Sequence, residues 1–113
     1  MAGFVKGDVV IVPFPFSDLT ETKRRPALVI ATLQGNGLIL CQITSQSVSD
    51  IYAIQLDNSD FSSGRLNQAS NIRPNRIFTA DKQIILYQAG QIKPEKLTEV
   101  INKIIEIIQY SNL

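Results

Sequence analysis

The chain of 113 residues contains no histidine. Ser-His-Asp and Cys-His catalytic arrangements are therefore excluded, as are the usual histidine-rich zinc sites. Its chemistry must come from carboxylates, guanidinium groups, hydroxyls and amides. Cysteine is nearly absent: Cys41 stands alone, so no internal disulfide can form. Its place in an apolar run predicts a buried packing residue in a reducing compartment. Charge of one sign is also scarce. Lys and Arg number 11 against 10 Asp and Glu, a formal net charge of +1, which excludes the overall basic field of a DNA-coating protein. Any polyanion site must be local. No apolar run reaches the ~18–20 residues needed to cross a bilayer, and the start of the chain lacks the cationic and apolar segments of a secretion signal. The expectation is a soluble, cytoplasmic protein without membrane contact.

What is present is an ordinary globular composition, 44% hydrophobic and 19% charged, at a length suited to one domain over residues 1–113. Gly7-Asp8 introduces Val9-Val10-Ile11-Val12, a β-branched run that predicts a buried strand ended by Pro13 and Pro15. Residues 13–24 are expected to form a long loop. A second strand over residues 27–32 leads into Gln34-Gly35-Asn36-Gly37, a hairpin signal, with residues 38–45 returning. Residues 52–56 predict a fourth strand and residues 57–64 a polar loop. Short strands over residues 68–73 and 84–87 follow, joined by residues 75–82. Pro94 and Glu95 open a helix with Leu97, Val100, Ile101, Ile104, Ile105 and Ile108 on one apolar face. The fold class is mainly β with a C-terminal α-helix, a small curved barrel with the helix packed against it.

Lys23-Arg24-Arg25-Pro26 places fixed cations at the mouth of the second strand. Such a run is either a solvated loop edge or a planar, bidentate grip on phosphate. With a two-residue hairpin turn, Thr44 faces Val29 or Ala27, according to which pair forms the turn. In both registers Arg25 and Thr44 share one side of the sheet, roughly 7–13 Å apart along the strands at ~3.3 Å per residue. A three-residue turn puts them on opposite faces. The other side, with Leu28, Ile30, Ile39, Cys41 and Ile43, is the expected core face. A groove belongs at the polar end of the Arg25 side, walled by residues 20–24.

These residues, in this order and at these intervals, resemble the MazF/PemK (Kid) family of bacterial toxins. Gly7-Asp8-Val9-Val10-Ile11-Val12 is similar to the family's opening strand, and Arg25-Pro26-Ala27-Leu28-Val29-Ile30 to its second. Ile43-Thr44-Ser45-Gln46 is similar to the end of the third, Gly64-Arg65-Leu66-Asn67-Gln68 with Ile72 to the next motif, and residues 97–108 to the closing helix. The resemblance implies an SH3-like barrel of the CcdB/MazF type and a homodimer. It implies a sequence-specific endoribonuclease that cuts single-stranded RNA with neither metal nor cofactor. It further implies neutralisation by a cognate MazE/PemI-like antitoxin whose flexible tail covers the RNA groove.

On the matching positions, the family's catalytic arginine falls on Arg25 and its hydroxyl partner on Thr44. Two departures stand out. Asn67 occupies the place where some members carry an acid, and the histidine that some carry in the first long loop is missing. Glu21 is the candidate for the loop glutamate of other members, at a different offset; it also reads as a solvated loop carboxylate. Thr44 is also a good strand residue in its own right. Lys23, Arg24, Arg65 and Arg73, with Arg76, are candidates to track the RNA backbone, or to keep exposed edges soluble. Gln42, Gln46, Asn67 and Asn71 are candidates to read base edges, and Phe14 and Phe16 either stack on bases or seal the barrel. RNA supplies its own nucleophile, the 2′-hydroxyl, so the expected products are a 2′,3′-cyclic phosphate and a free 5′-hydroxyl. Two other functions compete: a non-enzymatic, CcdB-like toxin that binds gyrase, and a module that holds RNA without cutting it.

Overall fold

A computed structural model describes residues 3–15, 22–46 and 49–110. The chain's strands are β1 (Asp8–Pro15), β2 (Thr22–Thr32), β3 (Gly37–Thr44), β4 (Ile54–Leu56), β5 (Phe61–Gly64), β6 (Ser70–Asp81) and β7 (Tyr87–Ile92). A C-terminal helix, α1 (Pro94–Tyr110), follows them. The strands form one sheet in the order β4-β6-β3-β2-β1-β7-β5, with every ladder antiparallel, curled into a half-barrel. The mainly-β class with a C-terminal helix is the one expected. No helix among the described residues is long and apolar enough to cross a membrane.

The central strands are buried on both faces, not on one as the hairpin pattern implied. One cluster joins Val9, Leu28, Cys41, Ile43, Ile54 and Ile72 to Val100 and Ile104 of α1. A second gathers Val10, Val12, Ala27, Val29, Leu38 and Leu40 beneath Phe4, Phe78 and Ile85. Successive residues of a strand point to opposite faces, so double burial requires the unbroken apolar run seen in residues 9–12. On α1 the covered stripe is narrower than predicted. Val100 and Ile104 are buried, whereas Ile105 on its flank and Ile108 in the last turn are 47% and 70% exposed.

Pro13 and Pro15 do not end the first strand. β1 runs through both, pairing Pro13 with Arg24 and Pro15 with Thr22, so the predicted loop is shorter at both ends. The reason lies in which edge loses its donors. The carbonyl of Ile11 accepts from the N–H of Leu86 (2.9 Å), so the polar groups of residue 11, and of 13 and 15 by alternation, face the β7 side. The β1–β7 ladder stops at Ile11↔Tyr87. The missing proline N–H groups therefore fall on an edge with no partner strand, where proline is tolerated.

Other boundaries moved for equally local reasons. Residues 75–82, expected as a connection, continue β6 along β3. The register jumps from Gln42↔Arg73 to Cys41↔Ile77, so Pro74, Asn75 and Arg76 bulge out and the strand resumes. The strand expected over residues 84–87 is instead a 3-10 turn, Lys82–Ile84, capped where Asp81 accepts from the Gln83 N–H (2.8 Å), with β7 beginning at Tyr87. Within the expected loop 57–64, Asp57 caps the 3-10 turn Asn58–Asp60, and the buried Phe61 starts β5. There the chain crosses β7 at Gly64↔Gly90. A Cβ on Gly64 would strike the Ala89 carbonyl, and its φ of +69° also suits glycine.

Asp8 secures the entry to β1. Its buried carboxylate accepts from the Val5 N–H (2.9 Å) and from the side-chain amides of Gln88 and Gln91 (3.0 Å each), tying the chain start to β7. A buried carboxylate is tolerated when several donors replace its water. Asp8→Ala strands those donors. Urea denaturation of this variant is expected to show a loss of about 2–3 kcal/mol; an unchanged midpoint would assign Asp8 no structural weight.

Candidate active site

The β2–β3 hairpin closes through a three-residue loop, Gln34-Gly35-Asn36, with the Leu33 N–H donating to the Gly37 carbonyl (3.0 Å) and Gly35 at a φ of +80°. The two-residue turn predicted from the sequence is corrected. On its own this loop would set Thr44 opposite Pro26 and send Arg25 to the other face. A bulge at Ile30 intervenes: the register changes from Ala31↔Ile39 to Val29↔Leu40. The extra residue restores the parity. Continuing from Ala27↔Gln42, the register brings Thr44 level with Arg25 on the same face.

The β2–β3 ladder ends at Ala27↔Gln42. By the same alternation that places the Ile11 polar groups toward β7, the partner residue Pro26 directs its backbone toward β3. Pro26 has no N–H to give. Beyond it β2 stays paired with β1, as far as Pro15↔Thr22, and β3 with β6, as far as Thr44↔Asn71. The β2–β3 pairing is thus lost just beyond Ala27↔Gln42, where Arg25 lies on one strand and Thr44 on the other.

Thr44 is 7% exposed, and its Oγ1 accepts from the Gln46 N–H (3.2 Å). With one lone pair so engaged, the hydroxyl proton remains able to donate into the cleft. Asn71, opposite Thr44, donates through Nδ2 to the Gln46 carbonyl (3.4 Å) and steadies the same turn. Gln42 pairs with Arg73, and Lys23 lies two residues before Arg25, so both pairs project from the Arg25 face. The structure thus brings Arg25, Thr44, Lys23, Gln42, Asn71 and Arg73 together, with Gln46 just beyond Thr44.

It does not bring Arg24, Arg65 or Asn67 there. Arg24, opposite Pro13, alternates to the far side of β2. Arg65 and Asn67 line a separate hollow of about 420 Å³ with Ile11 and Tyr87, at the β1–β7–β5 end of the sheet. Glu21 and Phe16 lie outside the described residues. Cys41 packs in the core as expected: its thiol donates to the Arg73 carbonyl (3.0 Å), and burial pushes it up to about 12, so no thiolate is available at neutral pH.

Two residues absent from the sequence candidates belong to this region. Gln55 lies opposite Asn71 and is exposed between the buried Ile54 and Leu56, an alternation that a three-residue strand barely registers in sequence. Asp50 pairs with Arg73 at 3.2 Å and accepts from the Tyr52 N–H at 2.7 Å. That N–H, with Arg73 and Asn75 assisting, holds its carboxyl below the usual carboxylate range. No sequence spacing links residues 50 and 73; only the β3–β6 pairing does.

Comparison with known proteins agrees with this fold. The family model described as PemK-like, MazF-like toxin of type II toxin–antitoxin system matches residues 5–108. The chain belongs to this toxin family. No curated protein matches at a significant level. Among solved structures, a mycobacterial endoribonuclease in complex with its cognate antitoxin superposes with a TM-score of 0.74 at 10% identity, covering 98% of this chain and 100% of that one. The MazE–MazF complex from Deinococcus radiodurans gives 0.73 at 20% identity over 94% and 96% of the two chains. The Mycobacterium tuberculosis toxin MazF-mt6 gives 0.65 at 16% over 88% and 92%. At such identities the likeness is one of fold.

The Asp50–Arg73 pair ties residue 50 to β6, and a pH dependence follows from the Asp50 carboxyl, depressed chiefly by the Tyr52 N–H and further by Arg73. The pair's contribution is complete above the ordinary Asp value of about 3.9 and disappears as pH falls through the lower folded value. Asp50→Asn is expected to lose about 1 kcal/mol at pH 7, where the pair is only partly screened by solvent. The gap from wild type in urea melts should narrow as pH falls below the ordinary Asp value. A gap that persists there would assign the effect to packing instead.

Proposed function

We propose that this toxin is a metal-independent endoribonuclease that cuts single-stranded RNA by attack of the 2′-hydroxyl on the adjacent phosphorus. The observation that carries this reading is that Arg25 and Thr44 share one face of the sheet just beyond the last β2–β3 pair, Ala27↔Gln42. Membership of the toxin family and the endoribonuclease neighbours of the same fold support it.

In the proposed reaction the 2′-oxygen forms a bond to phosphorus and the bond from phosphorus to the 5′-oxygen breaks. The products are a 2′,3′-cyclic phosphate and a 5′-hydroxyl. Negative charge accumulates on the non-bridging oxygens in the transition state. The Arg25 guanidinium, planar and permanently charged, meets that charge with paired N–H donors. The Thr44 hydroxyl donates to a second phosphate oxygen. Both donors sit on strands, so little reorganisation is needed as the charge develops. Glu21 is the proposed base for the 2′-proton. Lys23 and Arg73 extend the cationic track along the backbone, and Gln42, Gln46 and Asn71 offer amides to the bases.

The proposal includes a homodimer, whose second copy deepens a cleft that is shallow in one chain, and neutralisation by an antitoxin laid along it. The antitoxin complexes of the mycobacterial and Deinococcus neighbours support that partner.

Arg25→Ala and Thr44→Ala should each cut a labelled single-stranded RNA in EDTA about 10²–10³ times more slowly than wild type while retaining the native circular dichroism spectrum. Thr44→Ser, which keeps the donor, should recover much of the rate. Wild-type cleavage by either alanine variant refutes that residue's role; retention of RNA without any cutting by the wild type refutes the reaction.

A further inference from the structure

Beside Thr44 the sheet carries a second feature that phosphate chemistry does not use. Thr44 on β3 faces Asn71 on β6, and Asn71 in turn faces Gln55 on β4. With Arg25 level with Thr44, four polar side chains form one row across four neighbouring strands, in the order Arg25, Thr44, Asn71, Gln55. At the ~4.8 Å spacing of adjacent strands, the two amides stand about 5 and 10 Å from Thr44. The row ends in a hollow of about 240 Å³ lined by Ser45, Gln55, Asp57, Ser70 and Asn71, with Leu56 in its wall. That volume is below the range of drug-sized ligands and suits a single planar heterocycle.

The charges at the hollow select what enters it. No Lys or Arg lines it. Its one ionic group is Asp57, whose carboxyl the hydroxyl and N–H of Ser59 hold below the ordinary range, so it is an anion at neutral pH. No side chain lining the hollow offers a phosphate a cation, and Lys96, which lies outside the lining, is shared among the Gln55 carbonyl, Asp60 and Glu99. Hydrogen-bonding capacity remains open on the amides. Asn71 spends one N–H on the Gln46 carbonyl and keeps its Oδ1 and second N–H. The Gln55 side chain makes no hydrogen bond among the described residues, while its backbone carbonyl, which accepts from Lys96 Nζ (3.2 Å), fixes the edge strand beneath it.

We infer that this hollow is a specificity pocket for the base of the nucleotide next to the scissile phosphate, read by the side-chain amides of Gln55 and Asn71. The inference rests on the ribonuclease reading for its substrate class. Single-stranded RNA presents unstacked bases whose edges pair with amide groups, and a good bidentate amide contact discriminates between bases by roughly 5- to 100-fold. Gln55 is the informative residue, because it is exposed and lies outside the proposed catalytic pair.

The test compares wild type, Gln55→Ala and Gln55→Glu on a pool of random-sequence single-stranded RNA, with the 5′ ends of the cut products sequenced. Gln55→Ala should flatten the preference at one position beside the cut, by about tenfold, and leave preferences elsewhere in the site standing. Gln55→Glu removes the donor and keeps acceptors, so the same position should shift toward bases with an exocyclic amine such as cytosine. A structural role predicts neither change. If both variants give the wild-type profile while wild type cuts the pool, the pocket is refuted and the ribonuclease stands. If wild type retains RNA without cutting, the same comparison is made on the sequences enriched in the retained fraction. If it neither cuts nor retains RNA, both readings fall.

Discussion

A missing hydrogen-bond donor shapes the functional end of this protein. Pro26 sits where the next N–H of β2 should reach β3, and its ring leaves none to offer. A central β-ladder seldom tolerates that loss, and this one stops a residue short of it. Beyond the break each strand keeps its other neighbour, so neither frays. Burial on both faces of β1, β2 and β3 holds the hairpin rigid up to that point. Side chains next to the break are thus carried by well-packed strands, a rigidity that a loop tip would not supply.

A second constraint is parity. Any single-residue change in the hairpin turns one strand's side chains over relative to the other's. The loop here has one residue more than a tight turn, and the bulge at Ile30 absorbs it. The two irregularities compensate, leaving Arg25 and Thr44 on a shared face. Neither is optional once the other is present. The bulge also explains why these residues are level and not staggered by two or four positions, as either tight turn would leave them.

Much of this was legible from residue patterns, for identifiable reasons. The run from Val9 to Val12, the hairpin centred on Gly35 and the amphipathic segment after Pro94 each carry a local signal stronger than their surroundings. The shared face of Arg25 and Thr44 was anticipated through a turn that does not occur, so that expectation held by compensation. What escaped depends on pairing across long stretches of chain. Pro13 and Pro15 look like strand breakers until the edge they face is known. Residues 75–82 look like a link until β3 is seen to continue beside them. Asp50 and Gln55 acquire meaning only when β6 brings residue 73 to one and residue 71 to the other. Arg24, Arg65 and Asn67 show the converse: proximity in sequence, or to a motif, did not carry them to the cleft.

The near-zero net charge then becomes informative. A strongly basic surface would bind any RNA along its length and would leave little for a base-reading site to decide. Here the cations that share the cleft face, Lys23, Arg25 and Arg73, lie on β2 and β6, and carboxylates border them: Asp50 against Arg73, and Asp57 beyond Asn71. The cations of this face thus lie toward one end of the polar row and the Asp57 carboxylate at the other. On the proposed reading, an RNA strand lying across that row is oriented by charge before any base is read, with its backbone toward Arg25 and a base toward Gln55. Affinity and discrimination then fall to different groups on one rigid platform, so the amides can vary while the phosphate grip is kept.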